Sequence, residues 1–155
     1  MSRQSRSLKK PPVRRLHRIG LASVAVTVCL GISAVSADVV AVVSAKSSIE
    51  SLSNSQITDI FLGRRTRFPD GSSAIPIDLP EGSAARNEFY TRLADMSPSQ
   101  MKAYWSRIIF TGRGQPPNTA ATSIDAKKLL LANPNAISYI DKSLVDSSVR
   151  VVLAP

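Results

Sequence analysis

Cysteine and histidine are almost absent from this sequence, which has one of each in 155 residues. His17 and Cys29 both lie in the first 37 residues, so residues 38–155 contain neither. Disulfide bridges, soft-metal sites, cysteine nucleophiles and histidine-based catalytic triads are therefore excluded from that part of the chain. We expect no metal and no cofactor there.

Acidic residues are missing from residues 1–37, which hold seven lysines and arginines. This segment therefore contributes +7 of the formal net charge of +9, and the rest of the chain, with 13 basic and 11 acidic residues, contributes +2. So small an excess predicts solubility and not a nucleic-acid-binding surface. We expect no nucleic-acid partner.

The first 37 residues have the three parts of a secretory signal peptide in order. A basic stretch ends at Arg18, an apolar run extends from Ile19 to about Ile32, and Val35-Ser36-Ala37 precedes the expected cleavage point. The alternative is a retained membrane anchor, although the run is near the lower length limit for a bilayer span. The sequence thus predicts a signal peptide over 1–37, membrane contact only through it before cleavage, and one exported domain over 38–155.

Strand and helix patterns alternate along residues 38–155. Val39–Val43 is a continuous β-branched run, which predicts a buried strand. The spacing of a capping box occurs twice and predicts two helix starts, at Ser53 with Gln56 and at Ser97 with Gln100. Further strands are expected at 74–79, 137–140 and 149–153, and further helices from Ser83 and over 124–132. The order β-α-β-α-α-α-β-β predicts an α/β domain, a mixed β-sheet flanked by helices.

Several conspicuous side chains have ordinary structural interpretations. Met101, Tyr104, Trp105, Ile108 and Ile109 follow helical spacing, which predicts a stripe that faces the core and includes Trp105. We expect Tyr139 to be half-buried in the sheet. The arginines of 64–67 are expected in a solvated loop, and 111–117 must be a loop because of its glycines and prolines.

The junction between the second strand and the helix from Ser83 is the best candidate site. The first amides of a helix lack backbone partners and the helix dipole adds positive potential, so they attract anions. Gly82 permits close approach, Ser83 offers a hydroxyl, and Arg86 in the first turn adds charge. Ser83 as a simple helix cap is the alternative interpretation. The negative charge of Glu81 disfavours an anion here, unless its carboxylate accepts a proton from a protonated oxygen of the ligand.

Four segments together resemble the substrate-binding proteins of phosphate ABC importers, in particular a short single-lobe branch. They are Phe61-Leu62-Gly63, Glu81-Gly82-Ser83, residues 104–112 and residues 135–140. The resemblance implies a single periplasmic-binding-protein-like lobe over 38–155 and a periplasmic location. It also implies inorganic phosphate or a similar oxyanion as ligand, with an ABC importer or other envelope protein as partner. The phosphate-binding set that follows is Glu81, Gly82, Ser83, Ala84 and Arg86.

The sequence departs from the family at that loop. Ala84 and Ala85 stand where the family has Gly and Thr, and Leu79 stands where some members have Arg. A second hypothesis is therefore an interaction domain of the same fold that has lost its ligand and docks through the loops 64–67 and 111–117. We expect no catalysis: Asp78 with Glu81 is the available acid pair, and no motif supports it.

Overall fold

A five-stranded mixed sheet organises the domain. The computed structural model describes residues 38–153, so the predicted signal peptide and its cleavage point lie outside the described residues. The strands are β1 (Val39–Ser44), β2 (Ile75–Asp78), β3 (Asn118–Thr119), β4 (Ala136–Asp141) and β5 (Val149–Leu153). Their order in the sheet is β3-β2-β4-β1-β5; β2 runs parallel to β3 and β4, whereas β1 is antiparallel to β4 and β5.

Four helices accompany the sheet: α1 (Asn54–Phe61), α2 (Ala84–Ala94), α3 (Pro98–Phe110) and α4 (Ser123–Ala132). Helices α1, α2 and α4 contact the strands, and α3 packs on α2. The predicted α/β architecture with a mixed sheet is confirmed. Among the helices of residues 38–153, none combines the length and the apolar character needed to cross a bilayer.

Strand β1 lies inside the core, as its continuous apolar run predicted. No residue of β1 is more than 3 % exposed. Because successive side chains of a strand point to opposite faces, both faces of β1 are covered. Its neighbours β4 and β5 pair with it on either side; Val42, for example, lies opposite Ser138 and Val151.

Both predicted capping boxes are present, and they fix where α1 and α3 begin. Ser53 Oγ accepts a hydrogen bond from the amide of Gln56 at 3.3 Å, and Gln56 Oε1 accepts one from the amide of Ser53 at 2.8 Å. Ser97 and Gln100 repeat both bonds at the same distances. These helix starts were predictable because the pairing is local to four residues.

Three expectations were wrong. Strand β3 was not predicted, since two exposed residues after a proline pair carry no alternating pattern. Ile109 does not face the core: its exposed fraction is 55 % and that of Phe110 beside it is 93 %, so the last turn of α3 is outside the core. Tyr139 is fully buried and not half-buried. A short 3-10 helix, Lys142–Leu144, also forms in the link before β5.

Glycines at the ends of α1 and α3 provide a matched pair for a stability test. Gly63 and Gly112 have φ values of +67° and +64°. Each comes directly after the C-cap residue of its helix, in the left-handed conformation typical of helix ends. A Cβ on Gly63 would lie 3.2 Å from Cη2 of Trp105, whereas one on Gly112 would meet nothing within 4 Å.

We expect Gly112→Ala to lower the free energy of unfolding by about 1–2 kcal/mol through backbone strain alone. Gly63→Ala should lose about 1 kcal/mol more, since the indole ring must also shift. Urea unfolding of the two variants measures the difference. Equal losses would show that Trp105 does not pack against Gly63 as described.

Candidate functional site

The carboxylate of Asp78, at the end of β2, is the centre of a buried polar network. Oδ1 accepts hydrogen bonds from the amide of Leu79 at 2.8 Å and from the hydroxyl of Tyr139. Oδ2 accepts from Arg86 Nε and from the hydroxyl of Tyr90, both at 3.0 Å. Asp78 is 3 % exposed. Its charge is therefore balanced by Arg86 and by neutral donors inside the protein.

An aromatic cluster holds the two tyrosines of this network in place. Phe89 stacks on Tyr139 with ring centroids 3.9 Å apart and planes 13° apart. Phe61 meets Phe89 edge-on at 4.9 Å and lies 5.8 Å from Tyr139. Tyr90 meets Phe89 edge-on at 5.4 Å. Since α1, α2 and β4 each contribute a ring, packing of the core positions the hydroxyl groups around Asp78.

The network fixes the protonation of its members. Burial raises the pKa of Tyr90 and of Tyr139 above the ordinary value for tyrosine, and the negative charge of Asp78 raises it further. Burial alone would lower the pKa of Arg86, but the charge of Asp78 and the hydrogen bond to it raise that pKa overall. Both tyrosines thus remain hydrogen-bond donors and Arg86 remains a cation at neutral pH.

The first turn of α2 presents unpaired amides. Ser83 caps the helix, with its Oγ accepting from the amide of Arg86 at 3.3 Å. The amides of Gly82, Ala84 and Ala85 form no hydrogen bond within residues 38–153. Gly82 and Ala84 are exposed, and a Cβ on Gly82 would meet nothing within 4 Å. Three polar hydrogens at the positive end of the helix dipole are left without a partner in this part of the chain.

A cleft of about 300 Å³ adjoins this turn, and we call it the Asp78 cleft. Of the five residues in the predicted phosphate-binding set, Glu81 and Arg86 line it, whereas Gly82, Ser83 and Ala84 do not. Lys102 lies across from Glu81, with Nζ 3.7 Å from its carboxylate. The other residues that line the cleft are Asp78, Leu79, Met101, Trp105, Ser106, Ile109, Pro116, Pro117 and Thr119.

Arg86 is shared between the core and the cleft. Its side chain is 11 % exposed. Nε donates a hydrogen bond to the carboxylate of Asp78, and the guanidinium carbon lies 5.1 Å from the centre of the Tyr90 ring. Its Nη atoms have no hydrogen-bond partner within residues 38–153. Because Nε alone binds Asp78, the two terminal amino groups remain available to an anion in the cleft.

Sequence reasoning missed the role of Asp78 and of the two tyrosines. Asp78 was considered as a partner of Glu81, but the Glu81 side chain is 62 % exposed and bonds to Lys102. One local signal was present: Arg86 and Tyr90 are four residues apart, so they share a helix face that looks toward the end of β2. Trp105 is buried as predicted, although its indole Nε1 is the one buried side-chain donor in residues 38–153 without a hydrogen bond.

The described residues offer no metal centre: residues 38–153 hold no group of three or more His, Cys, Asp or Glu side chains able to bind a metal ion together. The anionic Asp78 is fully committed to internal donors. Glu81, the other acid that lines the Asp78 cleft, pairs with Lys102 at 3.7 Å. The groups of the site left without a partner in residues 38–153 are the helix amides and the Nη atoms of Arg86, and both attract an anion.

Comparison with known proteins gives a match at the level of structure. No protein-family model and no curated protein matches the sequence. A putative phosphate ABC transporter substrate-binding protein with bound phosphate from Clostridium perfringens is similar over 74 % of this chain and 44 % of its own, with a TM-score of 0.57 and 21 % identity.

Two further solved structures give the same result. An ABC-type phosphate transport receptor from Vibrio cholerae has a TM-score of 0.58 and 17 % identity, over 74 % of this chain and 45 % of its own. PstS from Borrelia burgdorferi has a TM-score of 0.55 and 10 % identity, over 74 % of this chain and 46 % of its own. The chain thus spans less than half the length of these structures. Residues 38–153 have the fold of part of a phosphate ABC transporter substrate-binding protein.

Proposed function

We propose that this chain is an exported module that binds phosphate or a similar oxyanion at the first turn of α2. The observation that carries the proposal is the set of three unpaired amides at Gly82, Ala84 and Ala85. They belong to the same turn as Arg86, whose Nη groups have no partner within residues 38–153 and face the adjoining Asp78 cleft. Amides at a helix N-terminus bind anions without further assistance, and a nearby guanidinium adds charge-assisted hydrogen bonds.

Each residue of the predicted set has a role in this proposal. Gly82 and Ala84 donate their amides, and Arg86 donates from Nη. The hydroxyl of Ser83 accepts from the Arg86 amide, so its own hydrogen is left to donate to the anion. Glu81 accepts a hydrogen bond from a protonated phosphate oxygen, which makes the site selective for oxyanions that carry a proton at neutral pH. No catalytic role is proposed for any residue.

The structural neighbours support the choice of ligand and suggest the setting. One of them is a putative phosphate ABC transporter substrate-binding protein with bound phosphate, and another is an ABC-type phosphate transport receptor. We propose that this chain works in the periplasm with an ABC importer or another envelope protein.

Export through the predicted signal peptide has a direct test. The protein recovered from the periplasm of an expression host is expected to begin at Asp38, as measured by intact mass. A protein that keeps residues 1–37 and sediments with the membrane would instead support the retained anchor.

Phosphate binding is expected to raise the melting temperature. Phosphate at about 100 times its dissociation constant stabilises a protein by about 2.7 kcal/mol, which corresponds to about 10 °C for a domain of this size. Thermal unfolding is measured in phosphate, in sulfate and in chloride at matched ionic strength. Sulfate has no O–H group at neutral pH to donate a hydrogen bond to Glu81, so its effect should be smaller.

Ala84→Asp should abolish the phosphate effect. Ala84 is the first residue of α2 and is exposed, so an aspartate there places its carboxylate on the same amides and excludes the anion. The matched control is Ser99→Asp, which adds one negative charge to the exposed first turn of α3. No phosphate effect in the unsubstituted protein, or an equal loss in both variants, would contradict the proposed site.

A further inference from the structure

A second cleft, of about 350 Å³, lies at the opposite end of β2 from Asp78. The loop after α1 contributes Arg65 to its lining, and the loop after α3 contributes Arg113. We call it the arginine cleft. It shares only Pro116 and Pro117 with the Asp78 cleft. Residues of both loops named in the second sequence-based hypothesis, 64–67 and 111–117, therefore line one concave surface.

The two arginines of this cleft stand out among the cations of the domain. Residues 38–153 contain 13 lysines and arginines. Ten of them bond to an acid or a carbonyl, or lie over an aromatic ring. The other three, Lys46, Arg65 and Arg113, have no such partner in this part of the chain, and two of these three line the arginine cleft.

No acidic side chain offsets their charge, because the lining of the arginine cleft contains no Asp or Glu. The two acids nearest to Arg65 in sequence have other partners: Asp59 pairs with Arg64 at 3.7 Å, and Asp70 accepts hydrogen bonds from two serine hydroxyls at 2.6 Å. A concave surface lined by charges of one sign concentrates the electric field inside it. Positive potential is therefore concentrated in this cleft, although the net charge of the domain is close to zero.

The hydrogen bonds that end α1 and α3 are made by the backbone and do not need the arginine side chains. The carbonyl of Asp59 accepts from the amides of Arg64 at 2.8 Å and Arg65 at 3.1 Å. The carbonyl of Ile108 accepts from the amide of Arg113 at 3.1 Å. Backbone bonds thus fix both loops while both guanidinium groups stay unused, which lowers the entropic cost of binding.

The rest of the lining fits a peptide better than a free ion. Ile60, Ala74, Pro76 and the proline pair 116–117 give apolar contact, and Thr66, Gln115 and Asn118 offer neutral hydrogen-bonding groups. The cleft also borders β3, the edge strand of the sheet, where an extended segment can lie along exposed backbone.

We propose that the arginine cleft binds an acidic segment of a partner protein, with carboxylates of that segment on Arg65 and Arg113. This proposal does not depend on phosphate binding at α2. The probe is a fluorescently labelled hexaglutamate peptide, and its binding is followed by anisotropy at constant ionic strength. Each variant is compared with unsubstituted protein that has the same N-terminus.

Arg65→Gln and Arg113→Gln are each expected to weaken binding of the peptide by about tenfold, the loss of one charge-assisted contact. Lys46→Gln is the matched control, because it removes an exposed and unpartnered cation outside the cleft. It should change the affinity by less than about twofold, as screened surface charges do. A hexaglutamine peptide should not bind.

Three results would overturn the proposal. The first is no binding of hexaglutamate by the unsubstituted protein. The second is an equal loss in Lys46→Gln, which would mean attraction by net charge alone. The third is displacement of the peptide by millimolar phosphate in both the unsubstituted protein and Ala84→Asp, which would make the cleft a site for free oxyanions.

Discussion

Asp78→Asn is expected to lower the free energy of unfolding by about 3–5 kcal/mol, the usual effect of removing one partner of a buried ion pair. Arg86 would keep its charge inside the protein with no counter-charge. The amide NH2 of asparagine would also face hydrogen-bond donors, since every group now bonded to Asp78 donates to it. Guanidinium unfolding followed by circular dichroism measures the loss.

Asp59→Asn serves as the matched control for that result. Asp59 also pairs with an arginine, Arg64, but the two side chains are 35 % and 56 % exposed. Exposed pairs contribute less than about 1 kcal/mol, so this variant should remain near the unsubstituted stability. If Asp78→Asn does not fold, Tyr90→Phe removes a single donor and should lose about 1–2 kcal/mol. A loss of less than about 1 kcal/mol in both Asp78→Asn and Tyr90→Phe would contradict the hydrogen-bond network around Asp78.

Alkaline pH is expected to destabilise the protein steeply. The pKa values of Tyr90 and Tyr139 are raised in the folded protein, first by burial and then by Asp78, whereas in the unfolded chain tyrosine has a pKa of about 10. Below pH 10 both states hold these protons and the stabilisation is fully present. Above about pH 10 only the unfolded state releases them, so the free energy of unfolding falls with rising pH.

The slope identifies the groups responsible. Each tyrosine contributes about 1.4 kcal/mol per pH unit once the pH exceeds its unfolded pKa, and the pair contributes about 2.7. Urea unfolding between pH 9 and 11.5 gives this slope, and Tyr90→Phe should halve the part due to tyrosine. An unchanged slope in Tyr90→Phe would show that this hydroxyl ionises in the folded state and is not held on Asp78.

Much of the fold could be predicted because its signals are local. The capping boxes at Ser53 and Ser97 need four residues each, and the run 39–43 alone specifies a strand covered on both faces. The prediction for Ile109 was wrong because helical spacing shows which face of α3 is apolar, but not where along the helix that face leaves the core. Strand β3 depends on pairing with β2, some 40 residues earlier, and has no pattern of its own.

The candidate site was predictable only in part, for the same reason. Ser83 as a cap and free amides beyond Gly82 follow from a helix start. The side chains bonded to Asp78 come from residues that are 8, 12 and 61 positions away, and no local pattern joins them. The arginine cleft likewise required two loops to meet in space. Sequence could propose each loop, but not that the segment after α1 packs on α3. There the hydroxyl of Tyr104 donates to the carbonyl of Leu62 at 2.7 Å, and Trp105 lies beside Gly63.

A phosphate titration followed by amide NMR shows directly whether the anion binds at the first turn of α2. We expect the amide resonances of Gly82, Ala84 and Ala85 to shift together with one saturating curve, because those hydrogens acquire an anion as partner. The contradictory result is a set of shifts confined to Gly114, Gln115 and Asn118 in the arginine cleft, or amides of the α2 turn that do not respond to millimolar phosphate.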